Sequence, residues 1–211
     1  MIHIHVEMQN LTEIEAALGM MKDKSKLVLK TAINNAAKET EKRMSRETKQ
    51  KYRYESGRVA DIREAHMPIK KAKTSNLTAT IEVKSKIKEP KNFVLKPDTY
   101  YPGGKGAPSW VKAKNLRSGK LHKMALRPND SGDKYKAFVV KYHNANGNDH
   151  LAFAQRVPGS RMKNKNKEAI KSLYAPSVPK MEEVVYKDEI ADDMNDILMD
   201  NIQKQILRYL G

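Results

Sequence analysis

The chain has 211 residues, a formal net charge of +16 and no cysteine, which excludes disulfides and thiolate metal sites. Hydrophobic content is 39% with three Phe and one Trp, so the core is thin for this length and partner subunits are expected to supply part of the burial. No apolar run approaches the length of a bilayer span, and the first residues lack the basic-then-apolar order of a signal peptide, so a soluble, intracellularly made protein is expected.

Ile2, Ile4, Val6 and Met8 alternate with His3, His5 and Glu7, which predicts a half-buried strand. Asn10 or Thr12, each with a Glu three residues on, predicts a short helix with the stripe Leu11, Ile14, Leu18 and Met21. A break near Lys22-Asp-Lys24 precedes a longer helix in which Val28, Ala32, Ala36 and Met44 recur at helical spacing through Lys51. Ser56 opens a third, short helix carrying Val59 and Ile62 and ended by Pro68.

The period then changes to two. Ile69–Lys73 and Leu77–Val83, around Thr74-Ser-Asn76, read as a hairpin, and Phe93–Leu95 reads as a further strand. Residues 97–135 mix Pro and Gly breakers with Tyr100, Tyr101, Trp110 and many Lys and Arg. Within them Val111–Leu116 and Leu121–Leu126 pair as a basic hairpin around Arg117–Lys120, with flanks that order only when a partner arrives. Ala137–Tyr142 and Leu151–Arg156 are the clearest late strands, followed by a basic loop from Gly159 to Lys167.

The most specific stretch is Ile170-Lys-Ser-Leu-Tyr-Ala-Pro-Ser-Val-Pro-Lys-Met181. Pro176 and Pro179 force extended backbone before each, and Ser177 or Pro179 can open a helix running almost to Gly211. Glu182 and Glu183 are expected in its first turn, where the helix dipole favours carboxylates. From Met181 onward eight acids stand against Lys187, Lys204 and Arg208, so this segment is −5 and residues 1–180 carry +21. A basic body with an acidic tail helix fits contact with a polyanion or pairing between neighbouring subunits, and the second reading is preferred for the helix.

Catalytic and metal motifs are weak. His3 with His5, or His143 with His150, supplies two ligands and no site, so surface histidines are the simpler reading. Ser177 has no nucleophile elbow, Gly103-Gly-Lys-Gly106 lacks phosphate-loop spacing, and Asp192, Asp193 and Asp196 read as a charged helix face. Lys/Arg clusters with interleaved aromatics from Tyr100 to Lys120 suit a groove tracking a nucleic-acid backbone, and equally a solvated insertion.

Ala137-Phe-Val-Val-Lys, Phe153-Ala-Gln-Arg156 and the segment from Ile170 to Met181 resemble the C-terminal half of the tailed-phage minor tail protein Z family. That family shows an "I-x-x-L-[YF]-G-P-S-[VI]-x-x-[ML]" elbow before its last helix. This chain has Ala175 where glycine is usual and lacks the usual "G-x-x-G-V-F" approach to Arg156. Lys30–Lys38, Ile69-Lys-Lys-Ala and Asn76–Ile81 fit the N-terminal half, so the resemblance covers most of residues 25–210 and is weakest over 97–135.

The resemblance implies a structural subunit without enzymatic activity, cofactor or metal. It implies a tail-completion protein of the virion tail or neck, made in the host cytoplasm. Its partners are copies of itself in a sixfold ring, then tail tube, tail terminator or head-connector proteins, with DNA in the lumen and no membrane.

The expected architecture is one α+β domain over residues 1–211, with long N- and C-terminal helices on an antiparallel sheet and a basic extended loop region. Ile170, Leu173, Tyr174, Val178 and Met181 are the expected elbow packing and subunit-interface candidates. Asp188, Asp192, Asp193 and Asp196 are the expected subunit-facing acids. Arg156, Arg161, Lys163, Lys165, Arg117 and Lys120 are the partner or DNA contact candidates. The rival reading is a monomeric, basic DNA- or RNA-binding protein.

Overall fold

A computed structural model of the chain describes residues 1–7, 19, 24–53, 60–85, 93–97, 99–101, 110–124, 137–143 and 149–210. Apart from Gly19, the predicted helix over Leu11–Met21 lies outside those residues, as do Ser56 with Val59, Gly103–Gly106 and most of the flanks of the basic hairpin. The protein is α+β, with long helices near both ends and antiparallel strands between them. Its backbone groups into two compact units, one of residues 1–49, 60–86 and 177–211, the other of residues 50–59 and 87–176.

In the first unit, strand β1 (Ile2–Glu7) alternates as expected, with Ile4 and Val6 buried and His3, His5 and Glu7 exposed. Its partner is β2 (Thr78–Val83), antiparallel, with Ile4 opposite Ile81 and Val6 opposite Ala79. The expected hairpin survives only as bridges, Lys70 with Thr80 and Lys73 with Asn76. The continuous ladder of β2 is with β1, whose apolar alternation matches it, while residues 65–73 meet the other side of β2 through separate bonds.

Helix α1 (Ser25–Lys51) buries Val28, Leu29, Ala32, Ile33, Ala36, Ala37 and Met44, the predicted stripe widened by one neighbouring row. Its alanines lie completely buried, as close packing requires. The short α2 (Ala60–Glu64) contributes Ile62 to the core and ends before Pro68. Asn34 on α1 clasps the Ala72 peptide, donating Nδ2–H to its carbonyl at 3.2 Å and accepting its N–H at 2.8 Å.

The C-terminal helical segment begins as Ser177 suggests. The Ser177 hydroxyl accepts from the Lys180 N–H at 3.4 Å, and Pro179 sits in the first turn of α3 (Val178–Glu189), where a missing N–H costs nothing. The helix does not run on to Gly211. It stops at Ile190, buried to 1% exposure, passes through a 3₁₀ turn (Ala191–Asp193) and resumes as α4 (Met194–Leu210). Ile190 leaves helical geometry at φ −129° with its side chain buried, while its N–H closes the last turn onto the Tyr186 carbonyl at 3.1 Å. Helix α3 lies against β1, and Ile202 of α4 packs with Leu29 and Ala32 of α1.

The described residues of the second unit form two three-stranded antiparallel sheets. One is β3 (Val94–Lys96), β4 (Lys112–Lys114) and β5 (His122–Lys123), in that order, so the predicted basic hairpin forms and turns through Gly119 at φ +87°. The other is β6 (Ala137–His143), β7 (Asp149–Arg161) and β8 (Glu168–Ser172). Strand β7 outlasts its predicted end at Arg156 and bulges between Val157 and Arg161, where Gly159 adopts φ +72°. Leu95, Val111, Ala137, Phe153 and Leu173 form the shared core of this unit.

Candidate functional site

The elbow lies where the chain passes from one unit to the other, between Pro176 and Ser177. Its five apolar candidates divide. Leu173 is buried in the second unit, its N–H donating to the Phe153 carbonyl at 2.8 Å, and Val178 and Met181 are buried in the first. Ile170 is 41% exposed and Tyr174 58%, so neither contributes the elbow packing expected of it. Ile170 stands on β8, an edge strand of its sheet, opposite Arg156 of β7.

The basic candidates belong to the second unit and are not equivalent. Arg156 lies 5.4 Å from the Phe138 ring centroid and 4.0 Å from Glu168, so it is engaged within its own sheet. Arg161, Lys163 and Lys165 are exposed on and beyond the bulged end of β7. The Arg117 N–H donates to the Lys51 carbonyl at 3.0 Å, both residues belonging to the second unit. Lys120 and Tyr174, distant in sequence, line one cavity of about 470 Å³ together with Lys114, His122 and Lys123. Lys123 also caps the Trp110 ring at 5.0 Å, a cation–π contact.

The acidic candidates also separate. Asp193 is paired inside the chain, its Oδ2 2.6 Å from Arg43 Nη2, and the same nitrogen donates to the Glu189 carbonyl at 2.9 Å. The pair clamps the break between α3 and α4 onto α1. Asp192 and Asp196 are exposed. Glu182 and Glu183 stand in the second turn of α3, because Ser177 starts the helix earlier than their dipole role requires. Glu183 bonds Lys187 at 2.7 Å and Lys180 at 3.1 Å on the surface, which holds its carboxyl below the usual value.

Glu182 is fully buried, and its partner is His66. His66 Nε2 is 2.8 Å from Glu182 Oε1, and Nδ1 is 3.1 Å from Glu41 Oε1. A neutral imidazole carries one N–H and can donate to only one of these carboxylates, whereas the imidazolium donates to both. Burial pulls the His66 pKa down, but the hydrogen bonds and charges of Glu182 and then Glu41 outweigh it and hold it above 6.5. Burial pushes Glu182 up from its ordinary value, against the opposing pull of His66. Glu182 Oε2 has no partner among the described residues.

Beside this cluster a groove of about 880 Å³ opens along α1. Lys38, Lys42, Arg46, Lys49, Arg63 and Lys71 supply its cations, Met67, Pro68 and Ile69 its apolar part, and Glu41 and His66 reach one side. Neither the cluster nor the groove is among the sites expected from the sequence. The signal for the groove was present: Lys38, Lys42 and Arg46 repeat at i, i+4 and i+8, a like-charge row that costs a helix a few tenths of a kcal/mol per pair (about 0.2–0.5). The cluster left no local signal, because Glu41, His66 and Glu182 are far apart in the chain.

No group of three or more metal-ligating side chains occurs among the described residues. No helix of the described residues is long and apolar enough to cross a membrane. Comparison with protein families, with curated proteins and with solved structures finds no match to this chain.

Proposed function

We propose that the chain is a structural subunit of a phage tail or phage-tail-like particle. In this reading it forms a ring at the head-proximal end that completes the tail and joins it to the terminator or neck. The observation that carries this is the elbow of Ile170–Met181. Leu173, Val178 and Met181 are buried, while Ile170 stays exposed on the edge strand β8 and Tyr174 stays exposed just beyond its end. An edge strand with an exposed isoleucine, followed by an exposed tyrosine, is a surface that a neighbouring subunit can cover. The resemblance of the elbow to the minor tail protein Z family gives that surface its role.

The test has two parts. The purified full-length chain should associate with itself with rising concentration in sedimentation velocity, and negative-stain images should show rings. Removing the gene from the parent phage should leave tails that do not join heads. Infectious particles of normal morphology from that deletion count directly against the proposal.

The second reading, a monomeric DNA-binding protein, draws on exposed Arg161, Lys163 and Lys165 and on the cavity that joins Lys114, Lys120 and Lys123 to Tyr174. It expects salt-sensitive binding of duplex DNA by a monomer, with a slope reporting several phosphate contacts.

A further inference from the structure

We infer that the outer face of the last helix of one copy seats in the cationic groove along α1 of the next copy. This names the contact on which the ring reading rests. Helix α4 buries Ile197, Leu198, Asn201, Ile202 and Gln205 against its own unit. At 100° per residue the opposite face carries Asp196, Met199, Asp200, Gln203 and Leu207. Met199 is 45% exposed and Leu207 72%. This face combines carboxylates with large apolar groups, and its own fold leaves it uncovered.

The groove is complementary in three respects. Its charge is opposite, with Lys42, Arg46 and Arg63 set against Asp196 and Asp200. Its apolar part, Met67 and Ile69, matches Met199 and Leu207. Its length also fits, since Lys38 to Lys49 and Asp196 to Leu207 each span eleven residue steps of helix, about 16 Å. None of the described lining residues is Phe, Tyr or Trp, and the His66 ring is bonded to Glu41 and Glu182 with its side chain 9% exposed, so the groove is a poor platform for stacking bases. An acidic amphipathic helix therefore suits it better than a nucleic-acid strand.

Within its own chain Asp200 meets Lys204 at 3.1 Å, an exposed i,i+4 pair that yields easily to a better partner. The Arg43–Asp193 clamp holds the start of α4 on α1 and leaves the outer face open. Helix and groove are different surfaces of one unit, so when each copy engages a different neighbour through each of them the contact is head-to-tail and closes into a ring or continues as a filament.

The experiment measures self-association of the full-length chain by sedimentation velocity for four proteins: wild type, Lys42→Glu/Arg63→Glu, Asp196→Lys/Asp200→Lys, and the combination of all four changes. Each pair alone should weaken association by about tenfold or more, and the combination should restore most of it. Leu207→Ser, at a position outside the core, should weaken association without any change of charge, and it carries the test if a reversal variant fails to fold by circular dichroism.

Association indifferent to the groove reversal overturns the pairing and leaves the ring reading intact. So does a folded fourfold variant that regains nothing. Salt-sensitive binding of a duplex DNA probe, lost in Lys42→Glu/Arg63→Glu while association is unchanged, overturns the pairing and assigns the groove to nucleic acid. A wild type that stays monomeric at every concentration and never enters particles overturns both.

Discussion

Glu182 Oε1 lies 2.8 Å from His66 Nε2, so the helix that follows the proline elbow delivers a carboxylate into the core of the first unit and finds an imidazole there. Glu182 is fully buried and the His66 side chain 9% exposed. Glu41, bound to the other ring nitrogen, links the pair to α1. Three segments far apart in sequence are joined by two hydrogen bonds on one ring.

Removing the imidazole leaves a buried carboxylate without its donor. His66→Ala should therefore cost about 3 kcal/mol, in the range for breaking a buried charge pair. Glu182→Gln keeps an acceptor opposite Nε2 and should cost less, about 1 kcal/mol. Replacing both, as His66→Leu with Glu182→Leu, should recover part of the loss, because neither charge is then stranded. Urea denaturation followed by circular dichroism reads all three. A loss for His66→Ala within about 0.5 kcal/mol, the range of an ordinary surface change, contradicts the assignment.

The same cluster sets a pH dependence with a definite sign. The folded pKa of His66 is held above 6.5, so its stabilisation is fully present below 6.5 and is lost as pH rises through the folded value. Glu182 is raised above 4.5 by burial, so the folded state also binds more protons there, and stability again falls as pH rises through its folded value. Glu82, held down first by Lys84 and also by Lys70, and Glu183 act oppositely: their stabilisation is present above 4.5 and lost as pH falls through their folded values. The urea midpoint should therefore be higher near pH 6 than at pH 8.5, with an acid limb below 4.5. His66→Gln should flatten the alkaline side and leave the acid limb in place. An unchanged alkaline slope in that variant removes His66 as its source.

What could be read from the sequence follows the range of each interaction. Ile4 and Val6 announced β1 because alternation is local, yet its pairing with β2 could not be read, since Ile81 and Val83 suit a partner on either side. Ser177 and Pro179 marked the start of α3 because capping acts within one turn. The acidic run read as one helix because Ile190, where it breaks, is an ordinary helix-compatible residue whose burial nothing local announces. Glu182 looked like a dipole-stabilising surface acid for the same reason. Its partner is 116 residues away.

Arg43 and Asp193 should behave as a clamp and not as a subunit contact. Both side chains are partly exposed, at 28% and 51%, so solvent screening limits the pair and Asp193→Asn should cost less than about 1 kcal/mol. Arg43→Ala also removes the bond to the Glu189 carbonyl and should cost somewhat more, about 1–2 kcal/mol. Asp192→Lys, at an exposed position, should leave the melting temperature nearly unchanged and reduce self-association. Thermal melts beside sedimentation velocity separate these outcomes. A large assembly defect in Asp193→Asn with an unchanged melt returns Asp193 to the subunit interface.

The elbow predicts a division of labour between neighbouring residues. Leu173 packs with Leu95, Val111, Ala137 and Phe153, so Leu173→Ala opens a cavity and should cost about 2–5 kcal/mol. Met181→Ala should do the same in the first unit, where Met181 is completely buried. Tyr174, one residue from Leu173, is 58% exposed, and Tyr174→Ser should change stability by no more than about 0.5 kcal/mol. If the exposed half of the elbow is an assembly surface, Tyr174→Ser and Ile170→Ser should still produce folded protein that enters particles poorly. Quantifying the subunit in purified particles against its level in the cell measures that directly. Full incorporation of a folded Ile170→Ser/Tyr174→Ser variant leaves the edge of β8 with no part in assembly, and the elbow with a purely internal role.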